Sequence, residues 1–168
     1  MMKFHMVLVL VYSFLIVASG NYVTKFHVYV HEVVSGPNAT LYEVARANIT
    51  GDSPTSFGLV RVADDLMTSG PDMDTGKLGR AQGLVVNSGL TESSTMLTLD
   101  FVFTAGKYRG STIIATGRKR LTNGNQELPI VGGTAAFRLA RGYVISNYTY
   151  NAITNTVLFI FDFSIYLD

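Results

Sequence analysis

The stretch ELPIVGGTAAFRLARGYV, residues 127–144, admits two folds. Gly132, Gly133 and Thr134 could cradle a phosphate at the start of a helix, or they could reverse the chain between two strands. A Walker-type loop needs G-x-x-x-x-G-K-[ST], and a dinucleotide fold needs G-x-G-x-x-G opening a helix. Neither spacing occurs. Beyond Thr134, residues Phe137, Leu139, Arg141, Tyr143 and Ile145 fall on one parity, which continues as a strand. Adjacent glycines accept positive φ without a Cβ clash, as a tight turn requires. The stretch reads as a β-hairpin turning at Gly132-Gly133.

Period two also governs the segments around it. In TVLFIFDFSIY (156–166), Val157, Phe159, Phe161, Phe163 and Ile165 oppose Asp162, Ser164 and Tyr166. TMLTLDFVFT (95–104) sets Leu97, Leu99, Phe101 and Phe103 against Thr98, Asp100 and Thr104. KFHVYVHE (25–32) sets Phe26, Val28 and Val30 against His27, Tyr29 and His31. Further strands are expected at 41–49, 57–66, 78–87, 111–118 and 135–148, separated by turn-rich segments such as SGPN, GDSPTS and TSGPDMDTG. About eight evenly spaced strands predict an all-β antiparallel barrel or sandwich. No segment has the pattern of the crossover helix that a parallel sheet needs.

The chain opens with Lys3, an unbroken apolar run MVLVLVYSFLIVA (6–18), and small residues at Ala18, Ser19 and Gly20. This is the pattern of a secretory signal peptide over residues 1–20, cleaved near Asn21. The run is well short of the ~20 residues that span a bilayer, so no membrane association is expected once it is removed. Residues 21–168 then form one domain, long enough to bury a core without disulfides. There is no cysteine, which removes disulfides, thiolate metal sites and cysteine nucleophiles together. Lys3 is one of 13 basic residues; without it 12 face 12 acidic ones, so the mature chain is near neutral. Only Arg118-Lys119-Arg120 cluster, which reads as a solvated strand end rather than a nucleic-acid footprint. Secretion would expose the sequons at Asn38, Asn48 and Asn147 to glycosylation.

Familiar chemistry is scarce. His27 and His31 share a strand face but lie ~13 Å apart at ~3.3 Å per residue, too far to chelate one ion. No G-x-S-x-G elbow is present. Asp64 and Asp65 are adjacent, so on a strand only one of them can point inward. Glu32 continues the parity of Phe26, Val28 and Val30. It is either an acid at the end of an apolar face, with a raised pKa fit for proton transfer, or a solvated strand end. A small barrel has room for its side chains and one small ligand, here an apolar, aromatic one.

Five phrases carry a resemblance: VHEVVSGPNAT (30–40), FGLVRVADD (57–65), GRAQGL (79–84), FVFTAGKYRGSTI (101–113) and ELPIVGGTAAFRLARGY (127–143). In this order, and over nearly the whole mature chain, they resemble the plant dirigent proteins. The resemblance implies an eight-stranded antiparallel up-and-down β-barrel with a central hydrophobic cavity, secreted to the apoplast and assembled as a homo-oligomer, a dimer or trimer. It implies a phenolic ligand, either a radical made by a separate laccase or peroxidase or a quinone methide. The barrel would supply orientation and need no cofactor or metal of its own.

Four positions depart from the family pattern: Glu32 follows His31 where an aspartate is usual, Gln126 replaces an arginine, Val85 a tyrosine and Lys119 an aspartate. Glu32 is the first candidate for proton handling, then Asp64 or Asp65, with Phe161 as an aromatic wall and Val85, Gln126 and Lys119 as substrate contacts. Three functions follow. The first is stereochemical control of phenoxy radical coupling in lignan or phenylpropanoid biosynthesis. The second is a cyclase or dehydratase acting on a quinone methide, as in pterocarpan formation. The third is noncatalytic phenolic binding in defence.

Overall fold

A computed structural model describes residues 22–120 and 124–167; the expected signal peptide, residues 1–20, and its cleavage point at Asn21 lie outside them. The described residues form nine strands: β1 (Tyr22–Val33), β2 (Leu41–Ala45), β3 (Val60–Thr68), β4 (Lys77–Asn87), β5 (Ser94–Phe103), β6 (Thr112–Arg120), β7 (Gln126–Thr134), β8 (Arg141–Asn151) and β9 (Thr156–Leu167). Eight of them close an antiparallel barrel in the order β1-β9-β8-β7-β6-β5-β4-β3, with β3 returning to β1. The ninth, β2, lies beside the first half of β3. This is the up-and-down barrel that the resemblance implied, one of the two forms the alternation left open, closed so that its eight main strands have neighbours on both sides.

Closure is uneven. β1 pairs with β9 over its whole length, from Tyr22↔Leu167 to Val33↔Thr156. Against β3 it pairs only through Tyr29↔Thr68, Val30↔Met67 and His31↔Leu66. His31 faces outward at this seam but is buried, and its Nε2 lies 2.8 Å from Thr68 Oγ1. Because Thr68 Oγ1 donates its hydrogen to Gly70 O (2.7 Å), His31 Nε2 must be the donor to Thr68. The imidazole is therefore fixed in one tautomer, and burial lowers its pKa against the opposing charge of Asp72.

The interior divides into two halves. Phe26 stacks on Phe163 (4.9 Å between centroids), and Phe101 meets Phe163 edge-on at 5.0 Å. Phe103, Phe137 and Tyr108 complete this cluster and fill one end of the barrel. Each such aromatic contact is worth about 0.5–1.5 kcal/mol beyond area burial. Across β8 and β9 the inward residues are complementary in size: Val144 lies opposite Phe163 and Ser146 opposite Phe161.

The hairpin predicted at Gly132-Gly133 is displaced. Both glycines lie inside β7, paired with Ile114 and Ile113, and a bulge follows where the register shifts between Ile114 and Ala115. The chain reverses later, through a 3₁₀ turn at Ala135–Phe137, with positive φ at Ala135 and Leu139. β8 begins only at Arg141, and its inward parity is Val144 and Ser146, not Tyr143 and Ile145. The alternation misled because both faces of this segment carry apolar residues. Gly133 instead makes room inside the barrel, since a Cβ there would meet Thr112 O at 2.3 Å and Phe137 Cβ at 2.7 Å. It lets Phe137 fold back and plug the filled end.

Gly133→Ala should therefore destabilise the barrel by about 2 kcal/mol, lowering Tm by roughly 4–8 °C. Gly51→Ala, with no atom within 4 Å of the added methyl, should leave Tm within roughly 2 °C of wild type. Thermal unfolding followed by circular dichroism checks both.

Candidate active site

Opposite the aromatic plug, the barrel holds a pocket of about 210 Å³. Its walls are mainly apolar, from Val30, Leu97, Val85, Phe159 and Phe161, and four charged side chains enter it: Glu32, Asp65, Arg61 and Lys119. The seam positions the two acids. Continuing the β1–β3 register one residue past His31↔Leu66 sets Glu32 opposite Asp65, both on the inward parity. Like charges directly across strands repel, so the arrangement favours a proton on one of them.

Asp65 carries the larger perturbation. It is buried, and its carboxyl is pushed up to about 7, first by loss of solvent and further by the charge of Glu32. Thr40 works the other way, donating from Oγ1 to Asp65 Oδ1 at 2.5 Å. That hydroxyl also accepts from Val33 N (2.9 Å), and Thr40 O accepts from Asp64 N (2.9 Å), so the 34–40 loop is clamped onto both strands. Glu32 is raised by burial, opposed by the positive charges of Arg61 and Lys119. Lys119 is lowered by burial, opposed by Glu32.

Of the residues singled out from sequence, Glu32, Asp65, Val85, Lys119 and Phe161 line the pocket. Asp64 does not; it points outward and pairs with Arg80 (2.7 Å) and Gln82 (3.1 Å). Gln126 also lies outside the lining, its Oε1 accepting from Arg120 N at 3.1 Å. The basic triplet splits. Arg118 and Arg120 reach Glu92 at 2.7 and 3.2 Å on the surface, while Lys119 turns inside. Asn38, Asn48 and Asn147 are exposed. Among the described residues no cluster of three or more His, Asp or Glu could hold a metal ion. Sequence reasoning missed Arg61, Thr40 and Tyr148; Arg61 was within reach, since it shares the parity of Ala63 and Asp65.

The Asp65 shift fixes a pH dependence of stability. Unfolded, Asp65 loses its proton near 3.8; folded, it holds it to about 7. Its contribution is whole below about pH 4 and is lost as pH rises to 7, on the order of 4 kcal/mol in total. Asp65→Asn keeps an acceptor for Thr40 but removes the titration. The Tm of wild type minus that of the variant should fall steadily between pH 4 and 7; a difference flat with pH would contradict the buried acid.

Comparison with known proteins returns the same closed antiparallel barrel. The family model described as Dirigent-like protein matches residues 23–167. The chain is 42% identical over 122 residues to Dirigent protein 1 of Arabidopsis thaliana, covering 73% of this chain and 67% of that one. It is 38% identical over 121 residues to Pterocarpan synthase 1 of Glycine max, covering 71% and 65%. The chain thus spans about two thirds of the length of these curated relatives. The solved structure of the pterocarpan synthase dirigent protein GePTS1 superposes with a TM-score of 0.78 at 32% identity, over 90% of this chain and 88% of that one. With the match running from β1 to the end of β9, this chain belongs to the dirigent-like protein family.

Proposed function

We propose that the pocket binds a phenolic substrate and that Glu32 and Asp65 move protons on it, so that the chain acts as a cyclase or dehydratase through a quinone methide. The observation that carries this reading is the pair of buried carboxyls facing each other across the seam, one of them holding its proton to about 7. Orienting a radical needs walls, whereas eliminating water needs an acid and a base in reach of one ligand. The likeness to pterocarpan synthases points the same way.

The chemistry closes with the residues present. Asp65 gives its proton to a benzylic hydroxyl, whose C–O bond breaks and releases water. Glu32, as carboxylate, takes the proton of the conjugated phenol, whose electrons form the quinone methide. A second phenolic oxygen on the substrate then bonds to the benzylic carbon and yields its proton to Asp65. Glu32 returns its proton to the quinone methide oxygen, restoring the phenol and both side chains. The net change is loss of water and one new C–O bond, and the pocket walls fix which face is attacked.

The second reading is stereochemical control of phenoxy radicals made by a separate laccase or peroxidase, which uses the same walls. In either case the reading includes secretion to the apoplast, glycan at one or more of the exposed asparagines, and assembly of copies. Support for assembly comes from Tyr42, Val62 and Leu84, exposed apolar side chains in one row across β2, β3 and β4.

Incubation with an ortho-hydroxybenzyl alcohol carrying a second phenol, with and without laccase, followed by chiral chromatography, tests the choice. The expected result is one enantiomer of a cyclised, dehydrated product without oxidase. Glu32→Gln and Asp65→Asn should each lower kcat/KM by at least ~100-fold while ligand binding persists. Wild-type activity should fall above about pH 7 as Asp65 loses its proton. Stereoselective product only when laccase is added would replace this reading with radical coupling, and binding without product would leave a phenolic-binding protein.

A further inference from the structure

The proposed chemistry uses Glu32 and Asp65 but leaves the two cations of the pocket without a role. Lys119 enters from β6 and is only 6% exposed. Its Nζ lies over the rings of Phe159 (4.7 Å) and Tyr148 (5.2 Å). Among the described residues it has no hydrogen-bond or ion-pair partner, although the neighbouring Arg118 and Arg120 both find Glu92 outside. Arg61 enters from β3, and its Nη2 donates to Asn87 Oδ1 at 2.9 Å. Its Nε is buried with no partner. Arg61 Nε and Lys119 Nζ thus line one apolar pocket with hydrogen-bonding capacity unspent.

A buried ammonium with no partner is unfavourable by several kcal/mol unless an anion compensates it. The acids in the pocket do so only in part. Glu32 acts on Lys119 through space without an ion-pair contact, and Asp65 holds its proton into the neutral range. With Asp65 protonated, Glu32 is the one acid left in the pocket to face Arg61 and Lys119.

We infer that the pocket is built for an aromatic ligand that bears a carboxylate, which Lys119 and Arg61 receive while the ring lies against Phe159, Phe161 and Tyr148. The inference rests on the phenolic reading of the pocket and adds a charge to the substrate. A carboxylate suits these donors better than a phenolate: it is ionised at neutral pH without help, whereas a phenol holds its proton to about 10. The guanidinium and ammonium also supply the charge-assisted donors that a carboxylate needs on leaving water. Phenolic acids are therefore preferred over the matching alcohols and esters.

Titration calorimetry at pH 7 with 4-hydroxycinnamic acid and its methyl ester tests this on wild type, Lys119→Met and Arg118→Met. Wild type should bind the acid at least ~10-fold more tightly than the ester. Lys119→Met keeps the apolar stem, so ester binding should hold and the preference should shrink to within ~3-fold. Arg118→Met, on the surface, should leave the preference intact. Equal or tighter binding of the ester by wild type overturns the inference while the phenolic pocket stands. So does a preference that survives Lys119→Met or disappears in Arg118→Met. If neither compound binds wild type, the phenolic reading falls and takes this inference with it.

Discussion

The short seam between β1 and β3 is the constraint on which the rest depends. Three residue pairs, Tyr29↔Thr68 to His31↔Leu66, close the barrel, and His31 locks them to Thr68 and through it to Gly70. The next register position is where the strands part company: β1 ends at Val33 and β3 takes β2 as its neighbour. Glu32 and Asp65 stand at that parting. A barrel closed further along would have paired these strands through the acids; one closed less would have left both acids to water. The register, with Thr40 reaching in from the 34–40 loop, holds them facing inward and dry.

That placement works against stability, and the other half of the barrel compensates. Phe26, Phe101, Phe103, Phe137 and Phe163 pack stacked, tilted or edge-on at the filled end, with Gly133 giving Phe137 the space to close it. A rigid, well-packed end lets the open end keep a raised acid and two underused cations. Sites that hold such groups are the usual place for function, because packing alone would replace them with apolar residues.

Much of this was legible in the sequence, and the failures share a cause. Alternation at 95–104 and 156–166 located β5 and β9, since apolar side chains line one face there while Thr98, Asp100, Asp162 and Ser164 mark the other. The same logic put Glu32 on the inward parity but left open whether it was a buried acid, as the barrel makes it, or a solvated strand end. It failed to separate Asp64 from Asp65 because β3 reverses the usual pattern: Val62 faces out while Arg61, Ala63 and Asp65 face in. It misplaced the turn after β7 for a related reason, since Leu139, Tyr143 and Ile145 are apolar yet lie outside the core. An apolar outer surface and a charged interior are together what parity arguments cannot resolve. Lys119 was found by its departure from a family pattern, but its burial beside Phe159 required the barrel.

Family membership, the closed barrel and the opposed acids are the grounds for the proposal that the pocket holds a phenolic ligand and handles its protons. The measurement closest to that claim is a pH titration of ¹³C-labelled aspartate carboxyls by NMR, with Asp65 assigned by its absence in Asp65→Asn. The account predicts one carboxyl titrating near 7, displaced when a phenolic acid is added. If every aspartate titrates in the ordinary range near 4, and none moves with ligand, the pocket is not a proton-handling site and the account fails.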